Sequence, residues 1–493
     1  MGIIFKQSLH NTIITYMAFA IGGVNALFLY TYWLPESYYG LVTFLFSSAN
    51  LVMPLMALGV QHSIIKFYSS YQSERDKDKL LFTALILPLF IAIPVALIGV
   101  FFYEQISLLL SEKNPIVRNY VYIIYLVALF TAYFEIFYAW SRVQLKSVFG
   151  NAMKEFFTRV STMFLLVLVY FKVLDEVGFI YALTLSYVLR MLIMMGYAFY
   201  VRKPKLIFEL PDNFKAILRY SFYIILAGTA GSMVLDIDKF MIPQKIDIAQ
   251  TAFYAVAVYI GSVIEVPGRA MAQIMQPVTA QAVNEHNKEV LQSLYQKSHI
   301  NLLIISGLIF LLINANINAL YAIIPEKYSG GVWVVLMISI TKLSHMFLGN
   351  NGAIISNSKY YRILLPYSVL MSLAVVVLNI FLINYLGING AALSTLIVVL
   401  AFNALKLWYV KQKFALLPYT RQTPWVMLIL LGLFVLFSFW DFPFHPIISI
   451  IVKSILISSV YMFLVIRFQL SNDIINIWQT LKATVSRSTV EKH

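Results

Sequence analysis

The sequence predicts an all-α polytopic membrane protein with about fourteen transmembrane helices. Three observations carry that prediction: a composition that leaves no surface for water, a series of apolar runs of spanning length, and an alternating bias of Lys and Arg between loops. Of 493 residues, 60% are hydrophobic and only 12% charged, with a mean hydropathy of +0.80, whereas soluble proteins carry about 25% charged residues. A spanning helix needs about 20 apolar residues, so fourteen of them leave only short loops and tails.

The apolar runs lie near residues 9–33, 40–68, 80–103, 118–141, 150–171 and 178–201, then near 217–242, 251–276, 299–323, 331–355, 363–386 and 390–410, and finally near 424–441 and 447–466. The predicted organisation is a six-helix bundle over 1–202, a linker over 203–215, a second bundle over 216–411, two extra spans over 412–468 and a polar tail over 469–493. The N-terminal apolar stretch is too long for a signal h-region and reads as the first span.

The net charge of +14 reflects where Lys and Arg sit rather than nucleic-acid binding. Alternate loops hold Arg75, Lys77, Lys79, Arg142, Lys146, Lys154, Arg202, Lys203, Lys205, Lys215, Arg219, Lys288, Lys297, Lys359, Arg362, Lys411, Lys413 and Arg421, while the others hold only Lys113, Arg118, Lys172, Lys245 and Lys327. By the positive-inside rule the first set is cytoplasmic, which places both termini and the 203–215 linker inside.

An internal repeat runs at an offset of about 210 residues. "SYYGLVTF" from Ser37 aligns with "AFYAVAVY" from Ala252, "LSEKNP" from Leu110 with "IPEKYS" from Ile324, and "VGFIYALTLS" from Val177 with "LGINGAALST" from Leu386. Two bundles related by a pseudo-two-fold axis follow, an architecture used by transporters with a central site.

Several chemistries are excluded by what is missing. There is no Walker motif, HExxH, EF-hand loop or GxSxG, the seven His residues lack ligand spacing, and there is no Cys. No metal or cofactor is expected.

Ionisable residues within spans cost about 2.5–3.5 kcal/mol each on insertion scales and are functional candidates by default. Arg269, Lys66, His62, Glu265, Arg190 and Lys342 are the candidates for substrate binding, and Glu135, Asp236, Asp238 and His345 for ion coupling or gating. Glu265 and Arg269 share a helix face at i, i+4 with Pro267 between them, so they read either as a mutual ion pair or as a binding site. Glu135 and Arg190 sit at similar depth and read as a fixed pair or a site; Asp236, Asp238 and Lys239 lie near a span end that could be a solvated rim. Lys66 and Arg159 lie near the cytoplasmic ends of their spans and read either as snorkelling to the interface or as functional groups. Gly22 and Gly23 in the first span, with Gly228 and Gly231 in the seventh, read as hinges at repeat-equivalent depth.

With its 6+6+2 plan, "LGINGAALST" from Leu386, "ALGVQHSIIKFYSSY" from Ala57 and "LDIDKFMI" from Leu235, the chain resembles the polysaccharide flippase branch of the multidrug/oligosaccharidyl-lipid/polysaccharide exporter superfamily. That branch includes the O-antigen flippases and, more distantly, the lipid II flippases. The resemblance implies two bundles about a cavity lined by spans one, two, seven and eight, cationic side chains for a substrate diphosphate, and a groove for a polyprenyl tail beside the last two helices. On that template Arg269 and Lys66 are the phosphate candidates. The first span carries no arginine, so the cationic triad of the lipid II flippases does not carry over whole.

The function this implies is translocation of an undecaprenyl-diphosphate-linked oligosaccharide, an O-antigen, capsule or exopolysaccharide unit, across a bacterial inner membrane. The implied partners are that lipid-linked oligosaccharide, membrane lipids, and a polysaccharide polymerase with other assembly proteins. A cation-coupled drug exporter of the same superfamily and a membrane glycosyltransferase or ligase stay open as rivals.

Overall fold

The computed structural model of the chain describes residues 2–205, 207–229, 234–440, 442–476 and 479. These residues form helices and no strand, as a lipid environment requires: only a helix or a closed barrel satisfies its own backbone where no water is present. Fourteen longer helical segments follow in chain order among the described residues, with short helices at 103–111, 317–321 and 351–356 between them: α1 (2–33), α2 (36–67), α3 (74–101), α4 (115–143), α5 (148–170), α6 (176–201), α7 (214–229 and 234–245), α8 (249–284), α9 (288–314), α10 (326–347), α11 (361–386), α12 (388–414), α13 (423–438) and α14 (446–467). Eleven are long and apolar enough to cross a membrane. Of the other three, α5 carries Lys154, Glu155 and Arg159, α13 is a shorter apolar helix, and α7 is described in two pieces.

Local chemistry sets the helix starts. Ser73 accepts from the Arg75 amide, Asp175 from Gly178 at 2.7 Å and Asn287 from Val290 at 3.1 Å, each satisfying a backbone donor that the helix itself leaves free. Leu58 and Gly59 adopt left-handed backbone (φ 51° and 63°) and break α2 between Ala57 and Val60. A Cβ on Gly59 would lie 2.6 Å from the Ser221 carbonyl, so the break and the close approach of α7 both require glycine there.

By contacts the chain forms two compact units, residues 1–256 with 364–395, and residues 257–363 with 396–493. The core of the first is built where α4 packs on α2, α3 and α6, around Ile64, Leu81, Phe134, Trp140 and Met194. That of the second lies where α9 meets α13 and α14, around Leu303, Leu311, Phe437 and Tyr461. Large apolar residues remain exposed along α3 (Phe90, Ile93, Val100) and α13 (Leu428, Leu431, Val435), which suits faces whose solvent is lipid.

Asp238, on α7, is fully buried in the first unit rather than on a solvated rim. It accepts from the Tyr254 hydroxyl on α8 at 2.5 Å, the Asn379 amide on α11 at 2.7 Å and the Thr395 hydroxyl on α12 at 2.7 Å. One carboxylate thereby ties four helices together, and this explains why the start of α8 and of α12 belong to the first unit. In the linker, Lys79 and Arg75 hold the Glu209 carboxyl below the usual carboxylate range, and Arg202 reaches the buried Asp78 at 2.5 Å.

Asn114, buried in the turn before α4, closes the end of α7. Its amide donates to the Pro243 and Ile246 carbonyls at 2.6 and 2.9 Å, and its oxygen accepts from the Ile248 amide at 2.9 Å. Asn114→Ala leaves these backbone groups unpaired and is expected to cost about 2–4 kcal/mol. The exposed neighbour variant Lys113→Ala should stay within about 0.5 kcal/mol of wild type. Thermal unfolding of the two variants in detergent checks this.

Candidate functional site

Proline 267 has no amide hydrogen, so a regular helix through it would leave the Val263 carbonyl without its partner. The chain responds by tightening to a 3₁₀ turn over Val263–Glu265, in which the Val266 amide bonds the Val263 carbonyl. Such a turn inside a long helix is a recurrent mark of a functional segment. Its last residue, Glu265, lines a cavity of about 300 Å³ in the second unit, together with Arg269, Met275 and Gln276 from α8, Ser298 and Leu302 from α9, His345 from α10 and Asn350 just after it.

Glu265 does not pair with Arg269. Its carboxylate accepts from the Lys342 ammonium at 2.5 Å through one oxygen and lies 3.5 Å from His345 Nδ1 through the other. The Glu265 and Lys342 side chains are each only 18% exposed, so the two charges need one another. Arg269 is left exposed on the cavity, and among the described residues it makes no ion pair or hydrogen bond. With Glu265 and Lys342 cancelling, the cavity carries the charge of one free guanidinium, a group shaped to hold phosphate or carboxylate oxygens.

The cavity floor is held by uncharged groups. The Asn350 amide nitrogen on the backbone donates to Ser298 Oγ at 3.1 Å, and its side-chain amide donates to Thr279 at 2.8 Å. Gly349 has φ 56°, and a Cβ there would come within 2.8 Å of the His299 backbone nitrogen, so glycine is required where α10 turns against α9. His299 is buried, with Nδ1 donating to the Phe347 carbonyl at 2.5 Å and Nε2 accepting from the Thr423 hydroxyl at 3.0 Å.

The remaining candidates of the first unit separate into engaged and free groups. Glu135 pairs with Lys154 at 2.6 Å, not with Arg190. Arg190 is buried between the Phe134 and Tyr187 rings at 4.3 and 4.5 Å and reaches Thr131 at 3.4 Å, its cationic face covered by aromatic ones. Asp236 lies 3.5 Å from Lys239, and Arg159 pairs with Glu155 at 2.8 Å. Lys66 is exposed with its ammonium 3.8 Å over the Tyr220 ring; His62, half-buried one turn earlier, lies on the same helix. The helix runs regularly through Gly22 and Gly23, and its irregularity comes just after them as a π turn over Asn25–Leu29, where Asn25 donates to the Arg159 carbonyl at 2.8 Å. Gly228 lies in a regular stretch of α7, and Gly231 falls outside the described residues.

Three cations within helices escaped the candidate set, one of them Lys406 on α12. Lys154 reads as a loop residue by charge, yet it lies within α5 and engages Glu135. Lys453 is buried in the middle of α14; the apolar run around it in the sequence was signal enough to include it.

The profile of the polysaccharide biosynthesis protein family matches residues 6–283, more than half of the chain. No curated protein sequence matches it. Among solved structures, the lipid II flippase MurJ in an inward closed conformation superposes with a TM-score of 0.71 at 15% identity, over 94% of this chain and 99% of MurJ. An inward-facing multidrug resistance MATE transporter of the MOP superfamily gives 0.57 at 14% identity, over 84% of this chain and 95% of the transporter. A MOP superfamily transporter from Pyrococcus furiosus gives 0.53 at 15% identity, over 85% and 96%. At these identities the likeness is one of fold, and the chain has the fold these transporters share.

Removing the counter-charge tests the arrangement of the site. Glu265→Gln strands the Lys342 ammonium and is expected to cost about 3 kcal/mol or more, while Glu265→Gln combined with Lys342→Met should recover most of that loss. Thermal unfolding of the single and double variants measures both.

Proposed function

The chain belongs to the polysaccharide biosynthesis protein family, and from that premise we propose that it is a flippase for an undecaprenyl-diphosphate-linked oligosaccharide, carrying it from the cytoplasmic to the outer leaflet of a bacterial inner membrane by alternating access. The family and the fold point to a transporter of a lipid-linked substrate. The observation that carries the finer reading is Arg269: an unpaired guanidinium facing a cavity whose other walls are mostly uncharged. A diphosphate diester is a permanent dianion, and a fork of N–H donors is its natural partner. Methionine and alanine side chains along the same wall, Met271, Ala272 and Met275, suit the apolar neighbourhood of a lipid-linked headgroup. Lys66, the exposed cation of α2, is the corresponding candidate in the first unit. Because flipping needs no bond made or broken, the reading assigns no catalytic group. It includes a polymerase and other assembly proteins as consumers of the flipped unit.

Arg269→Ala is expected to lower binding of a diphosphate-linked lipid about ten- to hundredfold, the worth of one charge-assisted hydrogen-bonded contact, and to abolish surface display of the glycan with protein abundance unchanged. Arg269→Lys should keep part of the activity. Wild-type display in an Arg269→Glu strain would remove Arg269 from the site.

The proposed orientation has its own test, made simple by a chain with no cysteine. Phe208→Cys in the linker, an exposed position, should be shielded from an impermeant thiol reagent in intact cells. Lys113→Cys, exposed in the turn before α4, should be labelled. The opposite pattern would invert the topology.

A further inference from the structure

His345 stands between two charges of opposite fate. Its Nδ1 lies 3.5 Å from Glu265, a carboxylate already held by Lys342 at 2.5 Å, and its ring, 51% exposed, lines the same cavity as the unpaired Arg269. The cavity that His345 lines therefore carries one anion and two cations on or beside its wall, Glu265 against Lys342 and Arg269, a net charge of +1. A diphosphate diester brings two negative charges to Arg269 and turns that net +1 into −1. From the site reading above, we infer that His345 is the second cation of the anion site, taking up a proton when a doubly charged diphosphate diester binds and releasing it when the diphosphate leaves.

The other charged and titratable groups around it do not compete for this role. On the same helix, Lys342 is committed to Glu265. From α9, His299 has both ring nitrogens occupied by the Phe347 carbonyl and Thr423 and is fully buried, so no site for a second proton faces the cavity. From α8, Glu265 and Arg269 are the two groups already counted. On α12, Asn403 donates to Ser344 at 3.0 Å, and the nearest charge, Lys406, lies one turn beyond it and is absent from the cavity wall. Among the described residues, His345 alone combines an exposed ring, a carboxylate beside it and a place on the cavity.

Bringing an opposite charge to within about 4–6 Å changes the proton affinity of a titratable group tenfold to a thousandfold. By linkage the same factor appears in ligand affinity: because the bound state holds more protons, binding tightens as pH falls and weakens as it rises. The charge count also sets ligand class. With neutral His345 the cavity matches a monoanion, and with the imidazolium it matches a diphosphate diester.

The test uses the full-length protein in nanodiscs, with farnesyl-diphospho-N-acetylglucosamine as lipid-linked probe and uridine diphospho-N-acetylglucosamine as soluble one. Both carry only esterified phosphates, so neither titrates between pH 6 and 8.5. Calorimetry in two buffers of different ionisation enthalpy counts protons. Wild type should take up between about half a proton and one per lipid-linked probe at pH 7.5, and bind it about tenfold more weakly at pH 8.5 than at pH 6. His345→Gln should take up none and show no such dependence. His345→Lys, a permanent cation, should bind tightly at both pH values without proton uptake, and it decides alone if the glutamine variant fails to fold. Binding by wild type with no proton uptake, or an unchanged pH dependence in His345→Gln, overturns the inference and leaves the flippase reading standing. Equal binding of the soluble probe overturns the lipid-linked reading while leaving the role of His345 intact, and binding of neither probe overturns both.

Discussion

The ion pair between Glu265 and Lys342 is the constraint on which the site depends. Spaced four residues apart on one helix, Glu265 and Arg269 would ordinarily satisfy each other, and a satisfied arginine is a poor ligand for an anion. Lys342, reaching from α10 at 2.5 Å, takes the carboxylate instead. The pair itself is nearly neutral and mostly shielded. Its consequence is what matters: a guanidinium that must be hydrated or ligated stands beside a cavity of about 300 Å³.

The backbone makes that allocation possible. Pro267 denies α8 a regular hydrogen bond, the resulting 3₁₀ turn places Glu265 at the junction of two helical stretches, and the carboxylate meets Lys342 and His345 one turn apart on α10. On the far wall, Gly349, Ser298 and Asn350 fix the end of α10 against α9 and α8 with neutral hydrogen bonds. The first unit solves a different problem with a similar device. There Asp238 collects three donors from three helices, which stabilises packing in a setting where helices gain little from hydrophobic burial against one another.

Much of this was legible in the sequence, because the membrane imposes simple rules. Length and hydropathy gave the helices, since each span must be apolar and must satisfy its own backbone, and Pro267 marked a loosened turn in α8. Which charges pair was not legible. Glu265 has an arginine at i+4 and a lysine 77 residues away, and only the packing of α8 on α10 decides for the lysine. Glu135 likewise takes Lys154, a residue that loop-charge counting assigns outside the membrane, and Asp238 lies near a span end yet is sealed by Tyr254, Asn379 and Thr395. The hydropathy signal reports depth along a helix axis, whereas partner choice depends on rotation about that axis and on neighbours distant in sequence.

In the proposed site the Glu265–Lys342 pair persists and leaves Arg269 to hold the diphosphate. A cryo-electron microscopy map of the protein with farnesyl-diphospho-N-acetylglucosamine bound tests it directly. Diphosphate density is expected within hydrogen-bond distance of the Arg269 guanidinium, with Lys342 still on Glu265. Density for the phosphates away from Arg269, or Lys342 turned from Glu265 to the phosphate with Arg269 paired in its place, would contradict it.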